Sequence, residues 1–215
     1  MFYQVERLVP FAVETQFISN SPISEAEAGR LRAFVSGITV RPNRGLDFGA
    51  WAEILNARLP EIAKNFDELW LMNDSCYGPV FPLEEIFDRM KEQPCDFWSI
   101  TDSGGNQRGK RHLQSYFLIF RRKVLQSRPF QEFWKRTALK CTDCRTRKRY
   151  GEQSLDRCLR QAGFRPGCFI SVRDESQNWR IGQLHPLSLF SAYRLVDDYQ
   201  LPFLQVKAFE YSPLL

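Results

Sequence analysis

Asn73, Asp74 and Ser75 are three small polar residues placed directly after the apolar run Leu69 to Met72. The run reads as a short buried strand. A carboxylate flanked by an amide and a hydroxyl at its end would lie in the crevice beyond the carboxyl ends of the strands, where open α/β sheets bind ligands. The same residues could instead begin a turn toward Gly78 and Pro79. Asn43 and Asp47 follow a second short apolar run, Ile38 to Val40, with Gly45 between them. Arg108, Lys110 and Arg111 cluster in a Gly-rich stretch, 102 to 111, whose composition suits a mobile loop or lid. Such positive charge could hold a diphosphate, an anionic membrane surface or a nucleic acid, or could be a solvated loop surface. His112, Gln114 and Ser115 come immediately after it, and Glu152 opens a later helical pattern in which a carboxylate is favoured by the helix dipole.

These residues need elements to position them. A helix-like stretch from Tyr3 to Phe11 precedes a strand over Val13 to Ser19. Ser24 with Glu27 three residues later is a capping-box pattern, predicting a helix to about Val35, and Gly37 ends it. Ile38 to Val40 is the second strand, and Asp47 is expected to cap a helix from Phe48 to about Leu59. Asp67 to Met72 is the third strand. Strand, helix, strand, helix, strand in this order predicts crossovers and a parallel sheet, which places Asn43, Asp47 and Asp74 along one sheet edge. Further on, helices are expected at Leu83 to Lys91, at Phe130 to Leu139 and from Tyr150 to near Gly163. Strands are expected at Asp96 to Thr101, His112 to Arg121 and Phe169 to Val172, with a short helix near Pro186 to Ala192.

With 215 residues and 43% hydrophobic content the chain can fill one core, and a single domain is expected. No stretch approaches the roughly 20 apolar residues that cross a bilayer, and the first residues do not resemble a signal peptide, so a soluble, cytoplasmic protein is expected. Of the six cysteines only Cys141 and Cys144 have ligand-like spacing, which matches no zinc ribbon or finger. The net charge of +5 is modest, and neither the basic cluster of Arg108, Lys110 and Arg111 nor a second one, Lys140, Arg145, Arg147, Lys148 and Arg149, carries a nucleic-acid-binding motif or interleaved aromatics, so no nucleic-acid partner is expected.

Arg41 to Trp51, Met72 to Pro79, Asp96 to Thr101, His112 to Phe117, Tyr150-Gly151-Glu152 and Leu201 to Val206 together resemble the bacterial rhamnan synthesis protein F family, over about Ile38 to Val206. That family is similar to glycosyltransferases of the GT-A fold. The resemblance implies an α/β architecture with a Rossmann-type, mostly parallel sheet flanked by helices and a mixed sheet in the C-terminal half. It implies one GT-A-like domain over 1–215, with a nucleotide-sugar half at about 13–95 and an acceptor half at about 96–215. It also implies transfer of a sugar, rhamnose among the candidates, from a nucleoside diphosphate donor to a cell-surface polysaccharide or lipid-linked glycan, with peripheral association at the cytoplasmic membrane face.

By the same resemblance Asn43, Gly45, Asp47, Asn73, Asp74 and Ser75 would contact the donor, and His112, Gln114 and Ser115 the donor or acceptor. Arg108, Lys110 and Arg111 would face the diphosphate, and Glu152 would be the general base of an inverting reaction, its alternative being a helix-capping acid. Asp74 would hold a divalent metal, Mg²⁺ or Mn²⁺; where GT-A enzymes carry an Asp-x-Asp motif this chain has Asn73-Asp74-Ser75, with one carboxylate. His185 is a further possible ligand. GT-A folds also start with a strand and loop for the nucleotide base, where this chain has only the Tyr3 to Phe11 stretch. The single carboxylate and that N-terminus keep a second expectation open, a non-catalytic module that binds a glycan or scaffolds an assembly.

Overall fold

The computed structural model describes residues 1–103, 111–137, 146–171 and 196–206. Its elements in chain order are α1 (Phe2–Leu8), a 3-10 turn (Val9–Phe11), β1 (Gln16–Ser19), α2 (Glu25–Arg32), β2 (Gly37–Val40), α3 (Leu46–Asn65), β3 (Glu68–Met72) and β4 (Cys76–Tyr77). There follow α4 (Glu84–Lys91), β5 (Phe97–Thr101), β6 (Phe117–Arg121), α5 (Arg122–Leu125), α6 (Arg128–Thr137), a π-helical turn (Arg147–Glu152), α7 (Gln153–Gln161), β7 (Pro166–Ile170) and β8 (Leu204–Gln205). The fold is mixed α/β. The helix expected near Pro186 to Ala192 lies outside the described residues, as do Cys141, Cys144 and His185.

The central sheet has the order β3-β6-β5-β7, with β6 antiparallel to both neighbours and β5 parallel to β7. β1 and β2 form a separate parallel pair, and β4 pairs with β8. The expected single run of parallel strands from β1 to β3 is therefore corrected: β3 takes its ladder from β6, and among the described residues no pairing joins it to β1 or β2. The directions nevertheless agree. Glu14, before β1, is ion-paired with Arg58 late in α3, while Asn20, after β1, is bonded to Arg41, which also donates to Arg44 O just before α3. β3 starts after the end of α3 and finishes where Asn73 meets Asp47 at its beginning. Both strands thus run opposite to α3 and parallel to each other.

Alternation along the strands divides the apolar side chains between two cores. Leu69, Leu71, Phe97, Leu118 and Phe120 face α3, α5, α6 and α7, among Trp51, Leu55, Phe130 and Trp134. Trp70, Trp98, Ile100, Phe117 and Ile119 face the other way, toward Leu8, Ile86, Met90 and Phe203. A strand covered on both faces has no polar side to alternate with, which is why β6 reads Phe-Leu-Ile-Phe. Arg121 at its end donates to the carbonyls of Met90, Gln93 and Cys95, closing the C-terminus of α4.

Several expected boundaries move: β1 begins at Gln16 rather than Val13, and α2 ends at Arg32 rather than near Val35. α3 continues through Pro60 to Asn65, because Leu59 and Ala63 on either side are buried in the core and that packing outweighs the lost backbone bond. The strand expected from His112 begins only at Phe117, since side chains claim the earlier backbone N–H groups: Ser103 Oγ that of His112, Asp156 that of Leu113, Glu152 that of Ser115. β7 begins at Pro166 rather than Phe169, with the proline at the first position of a strand, where its missing N–H is tolerated.

Phe120 is fully buried, stacks against Phe97 and packs on the tilted ring of Phe130. Phe120→Ala should cost about 3–5 kcal/mol in urea unfolding, whereas Val13→Ala, at a position 94% exposed, should stay within about 0.5 kcal/mol.

Candidate functional site

The first turn of α3 is built tightly. Gly45 and Leu46 both take positive φ, 82° and 54°, and the chain folds back so closely that a side chain at Gly49 would run into the Arg44 carbonyl. Arg41, almost fully buried, ties this corner to β1 and β2 through Asn20, Glu53 and the Arg44 carbonyl. Asp47 is thereby fixed inside the helix rather than at its cap, with Oδ1 accepting from the Phe48 N–H.

At the tip of β3, Asn73 Nδ2 donates to Asp47 Oδ2 at 2.9 Å. Asn73 Oδ1 accepts from both the hydroxyl and the N–H of Ser75, at 2.6 and 3.1 Å. Asn73, Ser75 and Asp47 therefore form one hydrogen-bonded unit, and Asp74 is turned outward. It is exposed, and among the described residues it has no hydrogen bond or ion pair. Asn43 lines the same opening as Leu46, Asp47 and the β3 tip. The loop is braced from behind by Leu201 to Val206: β4 pairs with β8, Val206 N donates to Ser75 O, and a side chain at Gly78 would strike the Pro202 carbonyl. Burial pushes the Cys76 thiol, next in the chain, up to about 12.

The second group of residues adjoins the first. Asn73 N donates to Tyr116 O, and the preceding residue, Ser115, gives its N–H to Glu152 Oε1 at 2.7 Å. His112 Nε2 lies 3.5 Å from Glu152 Oε2, with both side chains about nine-tenths buried. Glu152 sits where the π-helical turn runs into α7, and the preceding Gly151 lets that turn rest on the Phe48 ring, where an added Cβ would come within 2.8 Å. Burial raises the Glu152 pKa, but the contacts from His112 and the Ser115 N–H outweigh it, and the net shift is below the ordinary value of 4.5. Glu152 is an ionised, anchored carboxylate.

Gln114 is buried, with its N–H on Thr101 O. Arg111 lies elsewhere than expected for a free diphosphate contact: it donates to Asp102 at 2.6 Å and to Ser171 at 2.7 Å, and Asp102 is completely buried. With the Ser103–His112 bonds, this pair forms the stem of the segment 104–110. Arg108 and Lys110 lie within that segment, outside the described residues. Asp102 and Asp156 were missed from the sequence; an acid at a strand end and another one turn after Glu152 were the available signals. Among the described residues no group of three or more His, Cys, Asp or Glu side chains comes together. The strand tip fits a cation only with Asp74 as its outward carboxylate and the remaining positions filled by water or ligand phosphates, an arrangement that suits Mg²⁺.

The chain matches a family model described as rhamnan synthesis protein F over residues 15–213. It is similar to an uncharacterized protein, y4gN, of Sinorhizobium fredii (strain NBRC 101917 / NGR234), being 29% identical over 137 residues, 63% of this chain and 36% of the relative. The matching stretch thus spans about a third of that relative's length. No solved structure matches.

Because Glu152 has a lowered pKa, the stability it contributes is present above the ordinary carboxylate value of 4.5 and is lost as pH falls through its lower folded value. Unfolding measured from pH 7 down to pH 3 should show Glu152→Gln about 1–3 kcal/mol less stable than wild type at neutral pH. The two curves should converge toward the acid end; a constant gap would mean the carboxylate charge contributes nothing.

Proposed function

We propose that this chain, which belongs to the rhamnan synthesis protein F family, takes part in polysaccharide biosynthesis by transferring a sugar from a nucleoside diphosphate donor to a hydroxyl of a cell-surface polysaccharide or lipid-linked glycan. One observation carries the reading: Asn43 to Asp47, Asn73 to Ser75, His112 to Ser115 and Glu152, far apart in sequence, are joined at one end of the sheet by hydrogen bonds and the Phe48–Gly151 contact.

In this reading the donor lies along the tips of β2 and β3. Asn43, Gly45, Asp47, Asn73 and Ser75 shape its seat, and Asp74 faces the diphosphate together with Arg108 and Lys110. A divalent cation held by Asp74 would supply charge neutralisation at the diphosphate. The acceptor oxygen attacks the anomeric carbon as the bond to the diphosphate breaks, and the nucleoside diphosphate leaves with the electron pair. The acceptor proton passes to Glu152, which His112 holds in place, and configuration at the anomeric carbon inverts. Gln114 and Ser115 hold the backbone on which this pair rests. A lipid-linked acceptor would be met at the cytoplasmic membrane face; among the described residues no helix is long and apolar enough to cross a membrane.

A second reading, a non-catalytic glycan-binding or scaffolding module, is favoured by two observations. Glu152 is already engaged on both oxygens, and Arg111 is paired with Asp102.

Thermal unfolding with nucleoside diphosphates and dTDP-rhamnose, with and without Mn²⁺, separates the two. A ligand at about a hundred times its Kd should raise Tm by about 5–10 °C. The Mn²⁺-dependent part of that rise should vanish in Asp74→Ala. Stabilisation by glycan fragments with no response to any nucleotide would reject the transferase reading in favour of the second.

A further inference from the structure

β5 and β6 pair with Ser99 opposite Leu118, and that register continued would set Asp102 opposite Ser115. Asp102 bridges instead to Leu113, so the segment leading into β6 carries two extra residues, a bulge beside the candidate site. Before the bulge, successive N–H groups point to alternate edges, as they do in a strand. His112 and Gln114 give theirs to Ser103 Oγ and Thr101 O at the end of β5. Leu113 and Ser115 give theirs the other way, to two carboxylates at the start of α7: Asp156 Oδ1 at 3.4 Å and Glu152 Oε1 at 2.7 Å.

The two spacings match. Four residues of helix rise about 6 Å and two residues of strand about 6.7 Å, so acids at i and i+4 meet alternate N–H groups when helix and strand run in opposite directions. They do so here, with Glu152 on Ser115 and Asp156 on Leu113. A single attachment would leave α7 free to turn about it, and the second fixes both the height of the helix and its rotation. Asp156 is itself held, because Arg160 one turn further on donates to both of its oxygens, from Nε at 2.6 Å and from Nη2 at 3.2 Å. Asp156 is buried while Arg160 is exposed. An acid serving only a helix-surface ion pair gains nothing from burial, which costs it hydration. This carboxylate is turned inward, onto the strand.

We infer that Asp156 is a positioning residue for Glu152: anchored by Arg160 and bound to the Leu113 N–H, it fixes the start of α7 on residues 112–115 so that the Glu152 carboxylate meets His112 in one orientation. Glu152 Oε2 then lies 3.5 Å from His112 Nε2 while Oε1 stays on Ser115. Asp156 acts through the Leu113 backbone. That the clamp serves a general base rests on the sugar-transfer reading, and the clamp itself does not.

The test follows the Glu152 carboxyl by NMR in protein carrying carbon-13 at its glutamate carboxyl carbons, the resonance being assigned by its loss in Glu152→Gln. The titration is run without donor or acceptor, so its outcome is independent of any transferase activity. Among the described residues the titratable neighbours of Glu152 in this cluster are His112 opposite and Asp156 on its own helix, with Arg160 paired to Asp156. Deleting the Asp156 charge removes a like charge and leaves Arg160 unneutralised, and both effects push the Glu152 midpoint down. Slackening the clamp gives up the contacts from His112 and the Ser115 N–H that hold it below 4.5, and pushes it up. Asp156→Ala should therefore raise the midpoint by at least about half a unit. Asp156→Asn, which loses the same charge but keeps an oxygen for the Leu113 N–H, should not raise it. Should Asp156→Ala fail to fold, Asp156→Ser, polar but one atom short of that N–H, is expected to give the rise. A midpoint that falls or holds still in the alanine or serine variant, or rises equally in Asp156→Asn, would overturn the inference.

Discussion

The amide of Asn73 is the point on which the candidate site depends. An amide carries a donor and an acceptor a fixed distance apart, and here both are used: the nitrogen holds Asp47 and the oxygen holds Ser75. A carboxylate in its place would face Asp47 with like charge, and the two could be held together only by a proton or a cation. With an amide, the helix start and the strand tip lock without either, and Asp74 is left as the outward carboxylate. The amide at this position therefore joins helix and strand in a way that a second carboxylate beside Asp47 could not.

The surrounding architecture protects that arrangement from both sides. β6 is buried on its two faces and paired on its two edges, so the segment leading into it starts from a rigid base. Residues 112 to 115 precede the regular β5–β6 ladder, meeting the end of β5 at a Leu113–Asp102 bridge, and give their N–H groups to Ser103, Asp156, Thr101 and Glu152. Glu152 is consequently tied to the backbone on which the site rests, and the Phe48–Gly151 contact ties the same turn to α3. Moving any one of these segments disturbs the other two.

Much of this was legible in the sequence. The capping box at Ser24 and Glu27 forms as expected, and β3, β5, α4 and α7 lie within a few residues of their predicted places. In each of these cases the signal is local: a cap, an apolar run or a stop at glycine. Asn73, Asp47 and Glu152 stand out in the sequence as small polar and acidic residues at element ends, and the structure ties each into the same hydrogen-bonded region. Pairing was not legible. A short apolar run does not say which strand it will sit beside, so the antiparallel partner of β3 and the separate β1–β2 pair had to be seen. β4 and β8 are two residues each and carry no periodicity. Arg111 illustrates the same limit, since its basic neighbours suggested an anion and its actual partner, Asp102, is known only from the hairpin that brings them together.

Cys76 shows how burial shapes the chemistry available beside the site. A thiol whose ionisation is displaced to about 12 stays protonated at neutral pH, so it is a poor nucleophile and a poor ligand for zinc or copper. The donors at the β3 tip that a passing ion can meet are then the oxygens of Asp47, Asn73, Asp74 and Ser75. A cation meeting this tip would therefore find oxygen donors first, the Cys76 thiol being buried and protonated.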